Sequence, residues 1–105
     1  MTIDFDKHRI AVDGKRINLT KKENDILQLL YINKNKVVKY DEISEKVYEA
    51  QLDKYILNSI KKQMCLLKRK IKDYIIIQNI ERTGYLIEEE EITENIEEEK
   101  SKRVS

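Results

Sequence analysis

Residues 53–87 read DKYILNSIKKQMCLLKRKIKDYIIIQNIERTGYLI, and two periodicities meet inside that stretch. From Leu57 the apolar positions recur at Ile60, Met64, Leu67 and Ile71, in steps of three and four. That spacing lines one face of an α-helix and makes it the buried face. Asp53 stands where an N-cap acceptor belongs, so the pattern predicts a helix from Asp53 to about Asp73. The other side carries Lys54, Asn58, Lys61, Lys62, Cys65, Lys68, Arg69 and Lys72. Between Lys54 and Lys72 there are seven basic residues and no acid, an imbalance that a merely solvated face does not require. After Asp73 the period changes. Tyr74-Ile75-Ile76-Ile77 is a β-branched run that predicts a strand, Glu81-Arg82-Thr83-Gly84 predicts a turn, and Tyr85-Leu86-Ile87 the returning strand. Gly84 is expected to serve the geometry of that turn.

Upstream, Ile3 and Phe5, Ile10 and Val12, then Ile17 and Leu19 alternate at period two, which predicts two or three short antiparallel strands. Asp13-Gly14 suits a type I′ hairpin turn between them. Thr20-Lys21-Lys22-Glu23 has the spacing of a capping box, and Ile26, Leu27, Leu29 and Leu30 continue it as a helix to about Asn33. Val37-Val38 is a short extended piece, and a second helix is expected over about Asp41 to Glu49 with Ile43 and Val47 inward. The order is therefore small sheet, helix, short strand, helix, long helix, hairpin. That is an α+β fold, a winged helix-turn-helix: N-terminal antiparallel strands, three helices and a C-terminal β-hairpin wing.

Bulk properties narrow the function. One hundred and five residues make one domain's worth of core. No apolar run is long enough to span a membrane, and MTIDFDKHRI lacks a basic-then-apolar export signal. A lone cysteine, Cys65, cannot close an internal disulfide and suits a reducing cytoplasm. The net charge of +1 hides an asymmetry: residues 88–105 hold eight glutamates against Lys100, Lys102 and Arg103, leaving 18 basic and 12 acidic residues over 1–87. A basic body points to a polyanionic partner, nucleic acid before a membrane surface. We expect a DNA-binding domain over 1–88 and an acidic tail over 89–105, helical or disordered, with Ile92 and Ile96 four apart. The tail has three readings: a solubilising segment (the simplest), a DNA mimic competing for the basic face, or a strip that packs on a second subunit.

Several of these pieces match a known family. INLTKKENDILQLL, VVKYDEISEKVY, the helix ending in LKRKI and the hairpin IIIQNIERTGYLI together resemble the DNA-binding effector domain of OmpR/PhoB-type response regulators, over residues 3–88. The resemblance implies a winged helix that binds duplex DNA. No receiver domain with a phosphoacceptor aspartate accompanies it in this sequence. The wing has Arg82 where that family commonly has its first glycine, and Cys65 and Leu66 fall where it often has arginines. In size and style the chain is also similar to small winged-helix accessory proteins of clostridial conjugative plasmids, and its Lys-, Ile- and Asn-rich composition suits a low-GC Gram-positive source.

The candidate DNA contacts are Lys61, Lys62, Lys68 and Arg69 for phosphates, Asn58 and Gln63 for bases, and Arg82, Asn79 and Thr83 on the wing. Lys39, beside Lys36 and Tyr40 at the start of the second helix, is a further phosphate contact. The expected partner is double-stranded DNA, bound by a homodimer or on tandem sites, with no membrane, no small-molecule substrate and no cofactor. No catalytic set or metal site is expected: His8 is alone, Cys65 has no paired ligand, and there is no Gly-rich phosphate loop. The expected role is sequence-specific and non-enzymatic, either transcription regulation or the marking of a DNA site for plasmid transfer or an origin. The competing reading is a winged helix that has lost DNA and uses the same faces for a protein partner.

Overall fold

The computed structural model describes residues 1–88; the tail expected at 89–105, with Ile92 and Ile96, lies outside the described residues. Three strands open the chain: β1 (Thr2–Asp4), β2 (Arg9–Val12) and β3 (Lys15–Asn18), antiparallel in the order β1-β2-β3. Ile3, Ile10 and Ile17 stand in register across the sheet, as their period-two spacing requires. Asp13 and Gly14 both take positive φ, 48° and 81°, the signature of the I′ turn.

Helix α1 (Lys21–Ile32) starts at the expected capping box. Thr20 Oγ1 accepts from the Glu23 N–H at 3.2 Å, and Glu23 Oε1 accepts from the Thr20 N–H at 2.9 Å. Ile26, Leu27 and Leu30 are fully buried. Strand β4 (Val38–Lys39) follows, then α2 (Tyr40–Ile43), which continues as a π-helical turn over Ser44–Tyr48 and stops at Glu49 in the left-handed region. Ile43 and Val47 point inward as expected. The π turn is held from both sides: the Tyr48 hydroxyl meets Ser59 Oγ at 2.7 Å, and Lys22 Nζ lies 4.4 Å above the Tyr48 ring.

Helix α3 (Lys54–Ile71) is capped by Asp53, whose Oδ1 accepts from the Ile56 N–H at 2.8 Å. Ile60, Met64, Leu67 and Ile71 form its buried stripe. Leu57, expected in that stripe, is only half-buried and opens onto a surface groove. The helix ends at Ile71, whose carbonyl accepts from both Tyr74 and Ile75 N–H at 2.9 Å. That turn uses up the residues expected to begin the strand. Strand β5 is Ile77–Ile80, not 74–77, and it pairs with β6 (Gly84–Ile87). Ile75 and Ile77 are still buried while Ile76 is 70% exposed, so the β-branched run alternates before the ladder begins. The second sheet has the order β4-β6-β5.

Gly84 has a different reason from the expected one. The left-handed residue of the wing is Arg82, with φ 60°. A Cβ on Gly84 would lie 1.9 Å from the Val38 carbonyl oxygen, so glycine is needed for the close approach of β4 to β6. That approach lets Tyr40 N–H donate to Thr83 O at 3.0 Å and sets the Tyr40 ring edge-on to Tyr85, with centroids 5.6 Å apart.

Candidate nucleic-acid interface

Helix α3 and the β5–β6 wing diverge from a shared floor and leave an open groove of about 730 Å3 between them. Leu57, Met64, Cys65, Tyr40 and Tyr85 line its floor and walls. Lys61 and Lys68 reach it from the helix, and Asn79, Glu81 and Arg82 from the wing. Glu81 is the one acid in that lining. The cations of the two elements thus converge although they are far apart in sequence.

The remaining candidates fall into distinct places. Asn58, Lys62 and Arg69 are exposed and stand within about 40° of one another around the helix at 100° per residue, on its outermost ridge. The Arg69 guanidinium sits 3.9 Å from Cys65 Sγ on that ridge. Gln63 is half-buried and lies about 200° round the helix from Lys61, away from the groove, on the same flank as Ser59 and Lys70. Lys39 is exposed on β4, paired with Gly84 beside the turn of the wing. Thr83 Oγ1 donates to the Glu81 carbonyl at 3.1 Å, so its hydroxyl closes the turn and does not project.

Two features escaped the sequence. Lys70 is one of the six cations of α3, yet its Nζ donates to Glu23 Oε1 at 2.7 Å and to Asn18 O at 3.0 Å. The Glu23 side chain is only 1% exposed, so Lys70 neutralises a buried carboxylate and joins α3 to the α1 cap. Only the contact itself, 47 residues apart, identifies it. The second is the left-handed backbone of Arg82, a residue already expected to touch DNA. For a non-glycine residue the left-handed region costs about 1–2 kcal/mol, so the wing tip holds an exposed arginine at a position where glycine is easier. The departure of the RTGY wing from the pattern it resembles carried a hint of this. Burial pushes the Tyr85 phenol above its ordinary range, with the neighbouring Tyr40 adding to the shift. Among the described residues no helix is long and apolar enough to cross a membrane.

Comparison with known proteins agrees with this architecture. Residues 14–87 match the family model described as "Transcriptional regulatory protein, C terminal", a class of regulatory domain and not of enzyme. The response regulator ArlR of Staphylococcus aureus is 33% identical over 92 residues, covering 83% of this chain and 41% of ArlR. The chain therefore spans less than half the length of the curated relatives it matches. The DNA-binding domain of Bacillus subtilis CssR superposes with a TM-score of 0.69 at 25% identity, covering 78% of this chain and 92% of that domain. The DNA-binding domain of the response regulator AdeR, solved in complex with an intercistronic region, has the same fold, with a TM-score of 0.67, 20% identity and coverage of 83% and 92%. The chain belongs to the family of C-terminal domains of transcriptional regulatory proteins, the OmpR/PhoB-type winged helices.

Proposed function

We propose that residues 1–88 form a domain that binds double-stranded DNA sequence-specifically, without catalysis, through the groove-side face and outer ridge of α3 together with the wing. The observation that carries this reading is the convergence of Lys61 and Lys68 on α3 with Arg82 and Asn79 on the wing, around one open groove. The solved AdeR complex supports it at the level of the fold. Lys61, Lys62, Lys68, Arg69 and Lys39 neutralise phosphates. These lysines act as point charges, whereas a bidentate fork is what reads guanine best. Asn58 on the ridge is the base-reading amide of the helix. Arg82, kept at the tip at a conformational cost, enters the adjacent minor groove or clamps its phosphate rim. The wing thus shares the reading of sequence with the helix.

One such domain makes few contacts, so stable occupancy comes from a homodimer or from tandem sites. The role is regulation of transcription or the marking of a plasmid transfer site or origin for a larger assembly. Selection of bound sequences from random duplex tests the reading. On the selected site, Arg82→Ala weakens binding at least as much as Lys61→Ala does. An Arg82→Ala protein as tight as wild type contradicts the role of the wing. A protein that retards no duplex at low salt is instead a protein-interaction module using the same apolar floor.

A further inference from the structure

Four of the six tyrosines are used inside the fold. Tyr31 packs on Phe5, Tyr40 and Tyr85 meet edge to face, and the Tyr48 hydroxyl is bonded to Ser59 Oγ. Tyr55, in the first turn of α3, is 73% exposed, and among the described residues its hydroxyl has no hydrogen-bond partner. The Lys54 ammonium lies 5.3 Å from the ring centroid, bracing the ring and leaving the hydroxyl free. An exposed aromatic is ordinary on a protein surface, so exposure alone singles out nothing. Its place on the helix does. At 100° per residue Tyr55 lies within about 60° of Asn58, Lys62 and Arg69, and so carries the outer ridge of α3 toward its N-terminal end. At 1.5 Å per residue, Asn58 and Cys65 on that ridge are about 10 Å apart, and Tyr55 and Arg69 about 21 Å apart. The major groove of duplex DNA is only about 12 Å wide. The stretch from Asn58 to Cys65 fills that width, and both ends of the ridge overrun it. With Asn58 at the base edges, Arg69 comes to one phosphate wall and Tyr55 to the other.

On the premise that this ridge and the wing are the DNA interface, we propose that Tyr55 is a positioning residue: its hydroxyl donates to a backbone phosphate on the wall opposite Arg69, and its ring packs on the adjoining deoxyribose. A tyrosine hydroxyl is among the side-chain groups that bond phosphate oxygens, and such bonds fix register without carrying sequence information. The ring has two χ angles to immobilise, so it supplies contact area at a small conformational cost. Holding the helix from both walls sets which base edge Asn58 meets. The contact is neutral, so it adds affinity without releasing counterions.

The test compares the wild-type chain with Tyr55→Ala and Tyr55→Phe, on a duplex selected from random sequence and on an unselected one. Tyr55→Ala is expected to bind both duplexes roughly 10-fold more weakly, with the dependence on salt unchanged, and Tyr55→Phe to fall between it and wild type because the ring remains. A scan that replaces each phosphate of the selected site by a neutral methylphosphonate locates the contact. One replacement that weakens wild-type binding is expected to cost Tyr55→Phe much less, a coupling that a merely structural role of the ring would not produce. A wild-type chain that binds while Tyr55→Ala binds equally well overturns the inference and leaves the DNA reading intact. So does a loss confined to the selected duplex, which makes Tyr55 a base reader, and so does a methylphosphonate scan that is the same for wild type and Tyr55→Phe. If the wild-type chain binds neither duplex, the DNA reading itself fails and the inference falls with it.

Discussion

Gly84→Ala probes the joint on which the wing hangs. A Cβ at this position falls 1.9 Å from the Val38 carbonyl oxygen, 2.8 Å from its carbon and 2.9 Å from Lys39 Cα. All three are backbone atoms, so no side chain can swing aside. Restoring ordinary contact requires β4 and β6 to part by about 1.5 Å, which breaks the Val38–Tyr85 and Lys39–Gly84 pairing. Overpacking of this kind costs about 1–3 kcal/mol, and each lost ladder bond adds about 1 kcal/mol. Val38, now 1% exposed, and the Tyr40–Tyr85 edge contact loosen as well. The stiffer unfolded chain gives back about 0.4–1 kcal/mol. The net loss is about 3 kcal/mol, a large share of the 5–15 kcal/mol typical of a domain. Urea unfolding followed by circular dichroism measures it. Gly14→Ala is the internal control: that Cβ meets nothing within 4 Å, so only the φ of 81° is penalised, at about 1 kcal/mol. A Gly84→Ala protein within 0.5 kcal/mol of wild type (judged against the urea slope), or one more stable than Gly14→Ala, refutes the reasoning.

Other expectations concern the core and its titration. Lys70→Met leaves the buried Glu23 carboxylate with only the Thr20 amide, and is expected to destabilise the fold by about 1–3 kcal/mol, less than a fully buried pair because Lys70 retains solvent. Adding Glu23→Gln to Lys70→Met is expected to recover part of that loss in a double-mutant cycle, and simple additivity would contradict the pairing. Because the folded Tyr85 phenol ionises above the ordinary 10.0, the unfolded chain loses that proton first. Stability present below about pH 10 is therefore lost as pH rises past it, and Tyr85→Phe is expected to flatten the fall in the alkaline urea midpoint.

Local signals with their own chemistry were legible in the sequence. The Thr20–Glu23 box, the Asp13-Gly14 turn, the Asp53 cap and the Ile60-Met64-Leu67-Ile71 stripe each depend on neighbours within four residues, and each is present. What depends on where a helix stops, or on distant partners, was not legible. The 74–77 run favours a strand by composition, but the closing turn of α3 claims Tyr74 and Ile75, so the ladder starts at Ile77. Leu57 has the period of the core, yet at its level the wing side is open and no element covers it. Lys70 has the charge of the binding face, yet its ammonium is held by an acid from α1. Gly84 has the position of a turn residue, yet its constraint comes from β4. For the site, the sequence supplied the cations but not their division into a groove, a ridge and the Gln63 flank. That division follows from helix rotation and from where the wing packs.

The proposed interface is tested most directly by the salt dependence of duplex binding, read by fluorescence anisotropy on a selected site. Six cations, Lys39, Lys61, Lys62, Lys68, Arg69 and Arg82, are assigned to DNA. Their phosphate contacts predict that the logarithm of the binding constant falls against the logarithm of salt with a slope of about −5, and that Lys61→Ala makes the slope shallower by about 1. A slope near zero, or a slope that neither Lys61→Ala nor Arg82→Ala changes, would contradict the assignment of the α3–wing groove to DNA.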